Sequence, residues 1–136
     1  IELSGEGSAA QWRRQLLGFL VARAQAGVAP KLVALAREFN FGYSELTVRV
    51  LRTRWGSCSS RGRITVNLAL LFQRPEVLRY LLLHELAHTR HMNHSPKFWR
   101  CVADCEPRWR DLDRELLQGW QRVPRWIASR PQEGAQ

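Results

Sequence analysis

Two histidines four residues apart with a glutamate beside the first, His84-Glu85-Leu86-Ala87-His88, follow directly on the apolar run Leu81-Leu82-Leu83. On a helix, residues i and i+4 leave the same face about one turn apart. Both imidazoles can therefore reach a single Zn²⁺ at about 2.0–2.1 Å from each ligating nitrogen. Glu85 lies about 100° further round the helix. That places it beside the metal, where it can take a proton from a water that the metal activates. Val77, Leu78, Tyr80, Leu81, Leu82 and Leu86 fill more than half of the helix circumference, and His84, Glu85 and His88 fall inside that arc. Glu76, Arg79, Leu83, Ala87 and Arg90 are expected on the outer side. Polar groups buried without partners cost several kcal/mol, and a metal ion supplies partners. Any fold for this chain must enclose this helix.

A catalytic zinc site takes three protein ligands and keeps one position open, so a third donor is required. His91 would point well below His88 on a continued helix, whereas His94 can swing back if the chain breaks before it. Asn93 suits the left-handed conformation that ends a helix. Ser95-Pro96 reads as the N-cap and first residue of a new one. The spacing matches His-Glu-x-x-His-x-x-Gly-x-x-His, with His91 at the Gly position. His94 is therefore the expected third ligand, and His91 is expected to be exposed.

With 136 residues, 45% of them hydrophobic and six of them Trp, the chain is expected to form one domain over 1–136, with loose ends at 1–7 and 124–136. No apolar run approaches the roughly 20 residues of a membrane span, and no secretory leader is recognisable. A cytoplasmic monomer without membrane contact is expected. Cys58, Cys101 and Cys105 read as reduced thiols. Cys101 and Cys105, four apart, are a weaker candidate for a second metal site. The net charge of +9 comes from 21 Lys+Arg against 12 Asp+Glu. Such a field favours polyanions, so nucleic acid is a candidate partner beside a simply basic surface.

Ser8 and Gln11 form a capping-box start for a helix with Trp12, Leu16, Phe19 and Leu20 on one stripe. Gly27 and Pro30 punctuate it, and a second helix over 30–39 carries Leu32, Leu35, Ala36 and Phe39. Both stripes are expected to be core, and Asn40 and Gly42 stop the second. Residues 46–55 then alternate with period two: Val48 and Val50 on one face, Thr47, Arg49, Leu51, Thr53 and Trp55 on the other. After a turn-rich stretch at 56–62, alternation resumes with Ile64, Val66 and Leu68, which reads as a β-hairpin with a long tip. Pro75 starts the metal-site helix, expected to reach about Arg90. A helix from Pro96 carries Phe98, Trp99, Val102 and Cys105 up to Pro107. Another near 108–118 carries Trp109, Leu112 and Leu116, with Gly119 as its stop. This order predicts an α+β domain.

Four segments now stand in sequence: Arg54-Trp55-Gly56-Ser57-Cys58-Ser59-Ser60, Ile64-Thr65-Val66-Asn67-Leu68, His84 to His88, and Asn93-His94-Ser95-Pro96-Lys97-Phe98-Trp99. Together they resemble the YgjP-like and SprT-like (WLM) zinc metallopeptidases over roughly residues 30–120. The resemblance implies a compact zincin core, minimal and gluzincin-like. Its parts would be N-terminal helices, a small sheet above the His-Glu-x-x-His active-site helix, and C-terminal helices. It implies one Zn²⁺ per chain on His84, His88 and His94, Glu85 as general base, and a protein or peptide substrate. YgjP-like proteins usually carry a β-rich region ahead of this module, where this sequence has a helical lead-in. The DNA-binding or ubiquitin-binding tails of SprT-like relatives are not recognisable.

Trp55 reads as core, with Gly56 allowing a tight bend. Alternatively, this strand forms the cleft rim and pairs with an extended peptide, Arg54 orienting a substrate carbonyl or acidic group. The expected activity is peptide-bond hydrolysis, with a DNA-associated protease of the SprT type as one variant. A nucleotide or phosphorylated substrate is an alternative, because Arg52, Arg54, Arg61, Arg63, Arg90, Lys97 and Arg100 flank the motifs. Phosphate-hydrolysing sites, however, favour carboxylate ligands. A nucleic-acid module with a structural zinc would need a fourth protein ligand, and no Cys or His stands at an obvious position for it.

Overall fold

The Ser8 hydroxyl accepts a hydrogen bond from the Gln11 amide at 3.1 Å and opens the first helix, α1, Ala9–Phe39. The computed structural model describes residues 8–128; the expected loose ends at 1–7 and 129–136 lie outside the described residues. Helix α1 runs 31 residues in one piece, so the expected break at Gly27 and Pro30 does not occur. Ala24, Val28, Leu32, Leu35 and Ala36 keep helical register straight through the proline and are all buried. Their packing outweighs the roughly 3 kcal/mol that an interior proline costs, and Pro30 itself sits on the exposed face.

Full burial begins only at Ala24, while Leu17, Leu20 and Val21 pack partly buried against the core. Trp12 and Phe19 stay 39% and 38% exposed, so these two members of the first stripe are not core as expected, whereas Leu20 packs against it. By length and composition alone, α1 is apolar enough to cross a membrane, which the sequence had not led us to expect. Asn40 ends the helix at φ 60°, the only described non-glycine residue with positive φ. The Arg90 guanidinium caps the same end by donating to the Phe39 and Asn40 carbonyls at 3.0 and 2.6 Å.

Three strands follow: β1 (Glu45–Arg49), β2 (Gly56–Cys58) and β3 (Arg63–Asn67), in the order β1-β3-β2. The hairpin is β2–β3 alone, antiparallel with Ser57 opposite Thr65. β1 lies parallel to β3, with Val48 opposite Val66, and not across a long-tipped hairpin. Asn67 is the cause. Its buried carboxamide donates to the carbonyls of Leu51 and Arg54 at 3.0 and 2.9 Å and accepts from the amides of Leu51 and Ala69 at 3.3 and 3.0 Å. These bonds pull 51–54 out of the sheet and carry the chain past the end of β3. The free edge of β1 is closed by Gln25 of α1, which donates to Leu46 O at 2.8 Å and accepts from Val48 N at 2.9 Å.

A short 3-10 turn (Leu68–Phe72) leads into α2 (Pro75–Ala87), with the expected proline at its start. α2 packs against α1, β2, α3 (Pro96–Cys105) and α4 (Trp109–Gln118). Leu83 and Ala87, expected on an outer side, are therefore fully buried. α2 also ends sooner than expected: Thr89 and Arg90 bond three residues back, and the Thr89 hydroxyl takes the Leu86 carbonyl at 2.6 Å. Ser95 caps α3 through the Phe98 amide at 3.3 Å. Beyond α4 come a 3-10 turn (Gly119–Arg122) and a last turn of helix, α5 (Arg125–Ala128). Ile127 there is buried, so the chain from 124 to 128 is not the loose tail expected.

Gly119 does not stop α4 by a left-handed conformation; its φ is −69°. Gln73 lies against it and donates to its carbonyl at 2.9 Å, so a Cβ would overlap the carboxamide and this buried side chain would have to shift. Gly119→Ala should therefore cost about 1–3 kcal/mol, the usual penalty of overpacking. Urea denaturation measures this, and an unchanged midpoint would show that Gln73 moves aside freely.

Candidate metal centre

α2 presents His84 and His88 one turn apart, and the segment just before α3 returns His94 to them. The turn is made without a left-handed Asn93. The Nε2 atom of His94 lies 3.2 Å from that of His88 and 3.4 Å from that of His84. Ligands placed tetrahedrally at 2.0–2.1 Å stand about 3.3–3.4 Å apart, so these spacings fit one small cation shared by all three rings. Among the described residues, these three form the only cluster of His, Cys, Asp or Glu donors close enough to hold a metal. Cys101 and Cys105 are half-buried free thiols with no third donor among the described residues, so the weaker alternative of a second metal site is not formed there. Burial pushes the Cys105 thiol up to about 11.

The rings are held from behind. Phe98, fully buried on α3, stacks on His88 at 4.3 Å and meets His84 and His94 edge-on at 5.0 Å each. Trp99 stacks on His94 at 5.6 Å and on Trp109 of α4 at 4.4 Å. The Nδ1 of His88 donates to the His91 carbonyl at 3.0 Å, which leaves its Nε2 lone pair for the cluster. His91 thus contributes through its main chain, and its ring is no member of the cluster. Burial, reinforced by the neighbouring His88 and His94, lowers His84 to about 3, and burial also lowers His88. Both rings are therefore neutral near pH 7, the protonation state in which imidazole ligates.

Glu85 is 3% exposed, and burial raises its pKa to about 8, against the opposing charge of Arg54. Its Oε1 is buried with no hydrogen-bond partner among the described residues. Its Oε2 faces β2, where a Cβ on Gly56 would stand 3.0 Å away. Gly56 is thus needed for close approach to the carboxylate, more than for the bend expected from sequence. Trp55 lies in the core, stacked on Trp120 at 4.2 Å. Arg54 is exposed and within electrostatic reach of Glu85.

Over residues 1–118 the sequence matches the model of the YgjP-like metallopeptidase domain. The chain belongs to the YgjP-like metallopeptidases. The family match starts well before residue 30, so α1 is part of the domain and not a lead-in to it. This YgjP-like chain is similar to the crystal structure of the metallopeptidase zymogen of Pyrococcus abyssi abylysin. The two are 27% identical with a TM-score of 0.63, over 71% of this chain and 97% of that one. The metallopeptidase zymogen of Methanocaldococcus jannaschii jannalysin shares the fold at 19% identity and a TM-score of 0.56, over 65% and 92% of the two chains. No curated protein matches the sequence significantly. A metallopeptidase requires a catalytic metal, and the three-histidine cluster is the place in this YgjP-like fold that fits one.

Tyr80, Asp113, Gly56 and Phe98 were not singled out from sequence as site residues, yet all border the centre. Tyr80 carried a signal, since it sits one turn before His84; Asp113, 29 residues beyond His84, carried none. The raised pKa of Glu85 also makes stability pH-dependent. Between the ordinary value of 4.5 and about 8, the native metal-free state keeps a proton that the unfolded state releases, so stability falls as pH rises through that window. Metal-free Glu85→Gln lacks this loss. Its stability advantage over wild type should be absent below pH 4.5, grow through the window, and level off above about 8. Denaturation in the presence of a chelator measures it, and a pH-independent difference would contradict the assigned burial effect.

Proposed function

We propose that this chain is a zinc-dependent endopeptidase in which His84, His88 and His94 hold the ion and Glu85 is the general base. The observation that carries the proposal is the convergence of three Nε2 atoms, spaced 3.2 and 3.4 Å, next in sequence to a buried carboxylate whose Oε1 has no hydrogen-bond partner among the described residues. Neutral imidazoles suit zinc better than the oxygen-seeking magnesium or calcium. When bound, zinc supplies Lewis acidity to the scissile carbonyl and to the attacking water. Glu85, with its affinity for a proton raised by burial, accepts the proton of that water and delivers it to the departing amine.

The sheet edge supports an extended peptide as substrate. Trp55 O accepts from Asn67 N at 2.8 Å, and Ser59 N donates to Arg63 O at 2.9 Å. By antiparallel alternation, the main-chain groups of Gly56 and Cys58 then face away from β3. Among the described residues no strand pairs with that edge, and Gly56 lies against Glu85. A substrate strand added there would pass beside the carboxylate, with the exposed Arg54 guanidinium orienting a carbonyl or acidic group on it.

Zinc-loaded wild type should cleave an unfolded protein. Glu85→Gln should lose about 10²–10⁴-fold in turnover while still binding one zinc per chain, and His94→Ala should lose the metal. Comparable cleavage by Glu85→Gln would remove Glu85 from the chemistry. Absence of cleavage in a zinc-loaded wild type that released phosphate from nucleotides would move the substrate class to phosphoesters.

A further inference from the structure

Tyr80 is fully buried on α2, with its hydroxyl 2.7 Å from Asp113 Oδ1 and 3.3 Å from His84 Nδ1. A phenol has one proton to donate, and a carboxylate can only accept. The 2.7 Å separation is that of a hydroxyl donating to a carboxylate. With its proton committed to Asp113, the Tyr80 oxygen can only accept from His84. His84 must then carry its proton on Nδ1, which leaves bare the Nε2 that stands 3.4 Å from His94 Nε2.

We propose that Asp113 and Tyr80 are positioning residues that lock His84 in its metal-ready tautomer. This rests on the assignment of His84 as a ligand. His88 is locked more simply, because the His91 carbonyl facing its Nδ1 is an acceptor that cannot become a donor. A hydroxyl is two-faced and can rotate. Without Asp113, Tyr80 is free to donate to Nδ1, which moves the ring proton to Nε2 and blocks the ligating lone pair. The carboxylate of α4 turns an ambivalent partner into an acceptor, and it ties the ligand helix to α4 in doing so. Neither residue is a member of the three-histidine cluster.

Ring-nitrogen NMR of metal-free wild type should show His84 protonated at Nδ1, and protonation at Nε2 would overturn the inference without recourse to any variant. Asp113→Leu should shift the His84 proton toward Nε2 and weaken zinc binding by about 10–100-fold, measured by competition with a chromophoric chelator. Tyr80→Phe keeps the buried ring but removes the acceptor, so it should lose affinity in the same range. A purely structural role would lower the melting temperature of the metal-free protein while leaving tautomer and zinc affinity unchanged; that result in both variants overturns the proposal. Failure of wild type itself to bind zinc would instead refute the metal-centre assignment, with the tautomer measurement still deciding this one.

Discussion

Burying ionisable groups around a shared point is the constraint on which this structure turns. Removal from water disfavours charge of either sign, so one cause drives His84 down to about 3 and Glu85 up to about 8. Both groups are pushed toward neutrality, with different consequences. A neutral imidazole is a ligand with its lone pair available. A carboxylate held short of partners is a strong proton acceptor. The metal-free centre thus sets two neutral imidazoles, His84 and His88, beside a carboxyl group that holds its proton up to about pH 8, and both follow from the same exclusion of solvent.

The surrounding elements are arranged to sustain that exclusion. α2 is enclosed by α1, α3, α4 and β2, which is why even its nominally outer Leu83 and Ala87 are buried. Phe98 contacts all three imidazoles, so a single side chain from α3 packs against every ring of the cluster. The sheet is asymmetric in a way that matters for the site. Gln25, a helix side chain, closes the β1 edge, while among the described residues no strand pairs with the β2 edge next to Glu85, where the lack of a side chain at Gly56 lets strand and carboxylate meet.

Much of the centre could be read in the sequence because its determinants are local. Helical spacing fixes His84 against His88, and Pro75, Ser95 and Pro96 mark helix starts by cap chemistry that needs no tertiary context. His94 followed from the start of α3 just beyond it. Local signals misled where distant packing outweighed them. Pro30 did not break α1, because five buried side chains hold one register across it. The strands did not form the expected hairpin, because the four hydrogen bonds of Asn67 redirect 51–54. Trp12 and Phe19 keep the spacing of a buried stripe, yet no described element covers them fully.

The sequence by itself determined which side chains converge, since four-residue spacing on a helix and a cap seven residues past His88, directly after His94, are properties of the chain alone. The tertiary structure decided what state those side chains are in. Only packing shows that Glu85 Oε1 has no partner among the described residues, that β1 runs parallel to β3, or that Asp113 reaches Tyr80 from 33 residues away. The physical reason is range. Periodicity and capping act within one or two helical turns, whereas desolvation and the direction of a buried hydroxyl proton depend on every element that closes around them.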